Sequence, residues 1–229
     1  MKDPLAQLSA EVVACRLCPR LVEWRERAAA APPARFRGQR YWARPLAGWG
    51  DPAARILLVG LAPAAHGGNR TGRLFTGDRS GDFLFASLFR AGLVNQPGST
   101  ARGDGLTARG IYIAAVVRCA PPDNKPLPEE RARCLPYLTR EIGLLAELRV
   151  VVALGAYAWE GTLRALDGPG AGAAAHPRFG HGAEARVGRY TLLGTYHPSQ
   201  QNTFTGRLTP EMLDAVVRRA RDLAAAAAT

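Results

Sequence analysis

Four cysteines, at positions 15, 18, 119 and 134, are the first residues whose type and spacing could do chemistry. Cys15 and Cys18 form a Cys-x-x-Cys pair, which puts two sulfurs near one centre. Cys119 and Cys134 would complete a tetrahedral set if the fold brought them there. The chain begins MKDPLAQLSAEVVAC, with no signal-peptide apolar core or cleavage site, so a cytoplasmic, reducing setting is expected. There, four cysteines point to metal more than to disulfides. Thiolate-only sites suit zinc or an iron–sulfur cluster, and spacing does not choose between them.

The other chemistry-bearing residues fall in three polar stretches. Gly60 to Asp78 reads GLAPAAHGGNRTGRLFTGD and carries Ala62, Phe75 and Asp78. Arg118 to Pro126 carries Asn124 after Pro-Pro-Asp. Tyr196 to Arg207 carries His197, Ser199, Gln201, Thr203, Phe204 and Arg207. A neutral imidazole can donate one N–H, an amide offers both a donor and acceptors, and an ionised carboxylate can hold a water. His176 and His181 are given no role and are expected on the surface.

The elements that must position these residues follow from periodicity. Each stretch leaves a short apolar, β-branched run, at 55–60, 111–117 and 190–195, and a fourth run spans 149–154. Helical spacing is expected over 4–17, 21–31, 81–91 with Ser80 as cap, 128 onward with Pro136 as a kink, 155–166, and from Pro210 with Thr209 as cap. Alternating strands and helices predict a parallel sheet covered on both faces. Loops leaving parallel strands gather at one edge, so a single site built from all three stretches is expected. No internal repeat or linker divides the chain, so residues 1–229 are expected to form one domain.

Composition narrows the partners. Net charge is +11 at pH 7, which suggests a polyanion. No apolar run reaches the roughly 18 residues needed to span a membrane. Residues 35–50, RFRGQRYWARPLAGWG, interleave arginines with Tyr41, Trp42 and Trp49, and could either line a nucleic-acid groove or pack against the core.

Taken together, Gly60-Leu-Ala-Pro-Ala64, Phe75-Thr-Gly-Asp78-Arg-Ser-Gly81, Arg118-Cys-Ala-Pro-Pro-Asp-Asn124-Lys-Pro and His197-Pro-Ser199 resemble the motifs of uracil-DNA glycosylases carrying an iron–sulfur cluster. The closer resemblance is to the family 5 (type b) branch. It covers roughly residues 15–225, and the four cysteines fit it in order and spacing. The resemblance implies a three-layer α/β/α fold around a four-stranded parallel sheet, with a structural [4Fe–4S] cluster on Cys15, Cys18, Cys119 and Cys134. It implies that Phe75 stacks on an extruded base, Asn124 reads the pyrimidine edge and His197 donates to the base O2. Ala62 stands where other branches carry a water-activating Asp or Asn. Family 5 members are broad, taking uracil opposite any base and some deaminated purines.

Breaking an N-glycosidic bond leaves a sugar cation and a base anion, so a donor at O2 helps most in the transition state. Asp78 is the nearest ionisable group of its loop and could hold the water. A base in a duplex must be flipped out, and Phe204 is a candidate wedge for the gap. Ser199, Gln201, Thr203 and Arg207 are expected to touch DNA, double- or single-stranded, with the protein acting as a monomer. Two other classes stay open on the residues alone: a metal-stapled nucleic-acid-binding module without catalysis, and an iron–sulfur electron carrier.

Overall fold

The computed structural model describes residues 3–167 and 177–226. His176 and most of the loop expected over 168–183 lie outside them.

A six-stranded sheet organises the chain, in the order β1-β3-β2-β4-β6-β5. Its strands are β1 (Trp49–Gly50), β2 (Ile56–Gly60), β3 (Ile111–Ala115), β4 (Val150–Leu154), β5 (Glu184–Val187) and β6 (Tyr190–Thr195). The inner four, β3, β2, β4 and β6, are parallel and are the four read from sequence. Edge strands β1 and β5 run antiparallel and correct the four-strand count. β1 is only two residues long, too short to show a period. β5 alternates between exposed and half-buried positions and returns through a Gly188-Arg189 turn into β6, a hairpin whose weak apolar face hid it.

Strand residues alternate between two cores, as the period of two requires. Leu57 and Val59 of β2 face a layer containing α1 (Pro4–Ala14), α2 (Pro19–Ala30), α5 (Pro128–Leu144) and α6 (Ala156–Asp167). Ile56 and Leu58 face α4 (Arg79–Arg90) and α8 (Pro210–Ala226). The result is the expected α/β/α sandwich. Two short helices complete the set: α3 (Gly68–Thr71), inside the loop after β2, and α7 (Gln200–Phe204), after β6. α5 is one continuous helix with Pro136 inside it.

A buried ion pair locks the carboxyl edge of the sheet to α5. Arg118, just past β3, pairs with Glu141, and their side chains are 1% and 2% exposed. Glu141 Oε1 also accepts the Gly48 N–H at 3.1 Å, and the Arg118 carbonyl accepts the Leu46 N–H at 2.8 Å. One pair therefore fixes the end of β3, the middle of α5 and the segment entering β1. Removing one partner leaves a buried charge alone. Glu141→Ala is expected to lose about 3–5 kcal/mol of unfolding free energy in urea titrations, while the apolar double variant Arg118→Met/Glu141→Leu recovers most of it. A single-variant loss under about 1 kcal/mol would mean that the pair contributes little.

Candidate active site

The loop after β2 presents its side chains through a strained turn. Phe75 has φ +53°, a left-handed conformation that a bulky aromatic rarely adopts. Its surroundings hold it there. Thr76 is fully buried; its Oγ1 accepts from Arg73 Nε at 3.0 Å and lies 2.6 Å from Ser99 Oγ. Gly77 N–H donates to the Ser99 carbonyl at 2.9 Å, and Arg70 Nη2 donates to the Gly77 carbonyl at 2.8 Å. Arg73 also pairs with Asp104 at 2.6 Å. Burial alone would raise the Asp104 pKa, but Arg73 and the N–H groups of Leu106, Thr100 and Ala101 outweigh it and hold the carboxyl well below its ordinary range.

The Phe75 ring then lies on the end of β2. A Cβ at Gly60 would stand 2.7 Å from its Cζ, so only glycine admits the ring there. His197 lies near it, with ring centroids 6.1 Å apart and planes tilted by 33°. His197 follows β6 and packs against Gly155 at the end of β4, where a Cβ would meet the His197 Cβ at 3.3 Å and φ is +98°. Burial pushes the His197 pKa down to about 4. Its imidazole is therefore neutral at pH 7 and can donate one N–H.

Three residues beyond Phe75, Asp78 caps α4: its Oδ1 accepts the Gly81 N–H at 3.0 Å. The expected cap, Ser80, lies inside the helix instead. Asp78 wins because its extended backbone leaves the carboxylate aimed at the first free N–H groups. The second oxygen, Oδ2, points past Gly67, where a Cβ would stand 2.0 Å away. Burial raises the Asp78 pKa above the ordinary carboxylate value and Asp82 adds to this, against the N–H groups of Gly81 and Ser80 and the Arg70 charge. Asp78 opens on a cleft of about 740 Å³, shared with Ala64, His66, Arg70, Asn124 and Gln200.

The sequence-derived set is thus brought to one edge of the sheet. Phe75 and His197 meet at the strand ends, and Asp78 and Asn124 line the neighbouring cleft. Asn124 and Asp123 both have positive φ, +56° and +52°, in a single tight turn. Ala62 is half-buried against the core. Ser199 begins α7 and its carbonyl accepts the Thr203 N–H at 3.0 Å. Phe204 closes α7 with 67% of its surface exposed and Arg79 stacked 5.3 Å from its ring centroid. Arg207 is exposed and stacks on Tyr196 at 4.5 Å. Gln201 is exposed, but it is Gln200 that lines the cleft.

Other positions depart from the sequence reading. His181 is half-buried, not a surface residue: its Nδ1 accepts from Tyr196 N at 3.4 Å and lies 3.3 Å from Thr195 Oγ1, bracing the chain that leads to His197. In the 35–50 segment Tyr41 is buried with its hydroxyl 3.0 Å from His66 Nδ1, Trp42 donates to the Pro45 carbonyl, and Trp49 packs on Phe85. The aromatic that reaches the cleft is Phe36. His66, Ser99 and Phe36 escaped the sequence reading. His66 sits inside the first motif and was visible there, but the contact of Ser99 with Thr76 spans 23 residues and carries no local signal.

The four cysteines are free thiols that line one cavity with Leu17, Leu21, Arg118 and Tyr137. Arg25 is 1% exposed and directs Nη1 at Cys119 Sγ, 3.0 Å away, while the Arg118 N–H donates to Cys134 Sγ at 3.2 Å. No carboxylate pairs with Arg25 among the described residues, so a buried cation faces the thiols. Among those residues, no group of three or more His, Cys, Asp or Glu side chains is arranged to hold a single metal ion.

Phe75 and His197 thus meet at the ends of parallel strands, beside a carboxylate-bearing cleft, in a chain of net charge +11. The profile of the Uracil DNA glycosylase superfamily matches residues 47–221, and the chain belongs to that superfamily. It is similar to the "Type-5 uracil-DNA glycosylase" of Thermus thermophilus, 55% identical over 93% of this chain and 95% of the relative. The protein of the same name from Mycobacterium tuberculosis is 54% identical over 96% of this chain and 82% of the relative. A "Type-4 uracil-DNA glycosylase" of Pyrobaculum aerophilum is 38% identical over 47% of each chain. No helix among the described residues is long and apolar enough to cross a membrane.

The lowered His197 pKa has a measurable sign. The unfolded chain takes up a proton near pH 6.5 and the folded chain only near 4, so this contribution to stability is complete above about 6.5 and is lost as pH falls toward 4. Wild type is expected to lose unfolding free energy between pH 6.5 and 4 more steeply than His197→Asn, as read from urea midpoints across that range. Parallel curves would place His197 at an ordinary pKa.

Proposed function

We propose that this chain is a monofunctional DNA glycosylase that hydrolyses the N-glycosidic bond of uracil in double- and single-stranded DNA and leaves an abasic site. It acts on other deaminated bases such as hypoxanthine or xanthine as well, as a cytoplasmic, single-domain monomer. The observation that carries this reading is the meeting of Phe75 and a neutral His197 at the strand ends, next to the cleft holding Asp78 and Asn124.

Each residue has a task that its chemistry allows. Phe75 stacks on the extruded base, held in place by its strained turn. His197 donates an N–H to O2, where negative charge grows as the bond breaks; a neutral donor already in position needs no reorganisation at that moment. Asn124 offers a donor to O4 and an acceptor to N3–H, the pyrimidine edge. The Asp78 oxygen not used as cap holds the water and favours the nearby sugar cation, and its raised pKa makes it a better proton acceptor than an ordinary carboxylate. Ala62 stands beside the base in this reading, and acceptance of purines as well as uracil follows from the resemblance to family 5. Phe204, exposed and flanked by Arg79, fills the gap left by the base, and Ser199, Gln201, Thr203 and Arg207 follow the DNA backbone nearby.

The cysteine cavity fits an anionic group. A buried guanidinium with no carboxylate needs a negative partner, and four thiolates on a cluster supply one. A [4Fe–4S] cluster is the group proposed there, because the four cysteines fit the iron–sulfur pattern in order and spacing. Cys15, Cys18, Cys119 and Cys134 would hold it, with Arg25 and Arg118 donating to sulfur, and its contribution is to tie the α1–α2 junction to α5. Anaerobically purified protein is expected to contain about four irons per chain, and Cys18→Ser to be colourless and poorly soluble. Stoichiometric zinc without iron would overturn the cluster.

Release of free uracil from a duplex with one U·G pair tests the activity itself. At saturating enzyme, Asp78→Asn and Asp78→Ala are both expected to slow excision by roughly ten- to thousandfold. Only the alanine variant should also lose about 1 kcal/mol of stability, because asparagine caps a helix as well as aspartate does. Full activity in both variants would leave Asp78 with its cap alone.

A further inference from the structure

The cleft has a cationic wall that the proposed chemistry does not use. Two guanidiniums stack on one aromatic ring there: Arg35 Cζ stands 4.7 Å and Arg70 Cζ 4.3 Å from the centroid of Phe36. The His66 ring stacks beside them, its centroid 6.1 Å from that of Phe36. All four residues line the same cleft as Asp78 and Asn124.

Two like charges gathered on one ring repel each other; the Arg70 charge acts on the Asp78 carboxylate, but no carboxylate among the described residues forms an ion pair with either arginine. Arg70 spends three of its N–H groups on neutral acceptors: the His66 carbonyl at 2.8 Å, Gln39 Oε1 at 2.9 Å and the Gly77 carbonyl at 2.8 Å. A guanidinium has five, so two remain, on a head that these bonds keep rigid. Arg35 is exposed and makes no hydrogen bond or ion pair among the described residues; the ring stack is its only partner. His66 resists adding a third positive charge, since burial first, and then Arg35 and Arg70, lower its pKa. The carboxylates of the cleft, Asp78 and Asp82, are held by other elements.

This arrangement fits a phosphodiester. An anion entering the cleft is drawn to the Arg35–Arg70 wall and repelled from Asp78, so the two ends of a nucleotide are sorted by charge. Guanidiniums already oriented by a ring lose less freedom when they bind than free side chains do. We infer that Arg35 and Arg70, stacked on Phe36, hold a backbone phosphate next to the extruded nucleotide, so that the sugar stands against Asp78 while the base enters the Phe75–His197 pocket. The inference rests on the glycosylase reading of this cleft. It gives Arg70 a second role, since the same side chain holds the Gly77 carbonyl and so positions Asp78.

The test measures binding to a duplex carrying a tetrahydrofuran abasic analogue, which cannot be turned over. The phosphates flanking the analogue are replaced one at a time by neutral methylphosphonate. Arg35→Gln is expected to reduce the slope of log affinity against log salt by about 0.9, the value for one lost phosphate contact. At one methylphosphonate position, wild type should lose affinity while Arg35→Gln, already lacking the contact, loses none. Phe36→Leu keeps both charges but removes the ring that aligns them, and should shrink the penalty at that same position. An unchanged salt slope in Arg35→Gln, or identical penalties for wild type and Arg35→Gln at every position, would overturn the phosphate contact. A wild-type protein that shows this phosphate signature yet releases no uracil from a U·G duplex would sink the glycosylase reading and leave the contact standing.

Discussion

The ion pair between Arg118 and Glu141 is the constraint on which the functional edge of this protein depends. It lies where the chain leaves β3, and Cys119 and Asn124 both follow within the next six residues. On the other strand of the connection, Glu141 belongs to the helix that carries Cys134. Desolvating two full charges is costly, and the Gly48 N–H and both guanidinium arms offset much of that cost, although Arg118 Nε stays buried without a partner among the described residues. In return the pair has one geometry. Apolar packing alone would let α5 slide along the sheet by fractions of a turn, and the thiols and the Asn124 turn would slide with it.

A second buried polar network does for the loop after β2 what that pair does for the loop after β3. Arg73, Thr76, Ser99 and Asp104 satisfy one another in a dry setting and hold the turn that keeps Phe75 at positive φ. Holding a bulky residue in that region costs on the order of 1–3 kcal/mol. The surrounding hydrogen bonds offset it, and the outcome is an aromatic ring fixed on Gly60 before any ligand arrives. Strain at Phe75 and again at Asp123 and Asn124 falls on residues that face the site, while the strands behind them are regular.

The electrostatics of this edge divide the labour. Burial keeps His197 neutral, Asp78 caps the helix and lines the cleft, and Arg70 holds the Gly77 carbonyl beside it. Each of these properties arises from what surrounds the side chain. Moving the carboxylate by two positions, to where Ser80 was expected to cap, would cost both the cap and the open oxygen.

The four parallel strands were legible because each is a short apolar, β-branched run ended by glycine or a polar loop, and the loops they feed were legible as one site because parallel strands send them to one edge. The residues read as chemical, Phe75, Asp78, Asn124 and His197, do converge there. Strands β1 and β5 were not legible, since two residues show no period and a half-exposed hairpin shows little apolar contrast. Nor was the cap of α4: Asp78 and Ser80 are both good capping types, and the choice rests on backbone angles that packing sets. The amino-acid sequence by itself determined the layers of the fold, the order of its strands' polar loops and which aromatic, amide, imidazole and carboxylate groups those loops carry, because these follow from local periodicity and residue type. Only the tertiary structure decided which aromatic of the 35–50 segment reaches the cleft, that Ser99 holds the Phe75 turn, that a buried Arg25 faces the cysteines and that His197 is neutral. Those properties depend on contacts between residues far apart in the chain and on the loss of water around them, and neither leaves a pattern in neighbouring residues.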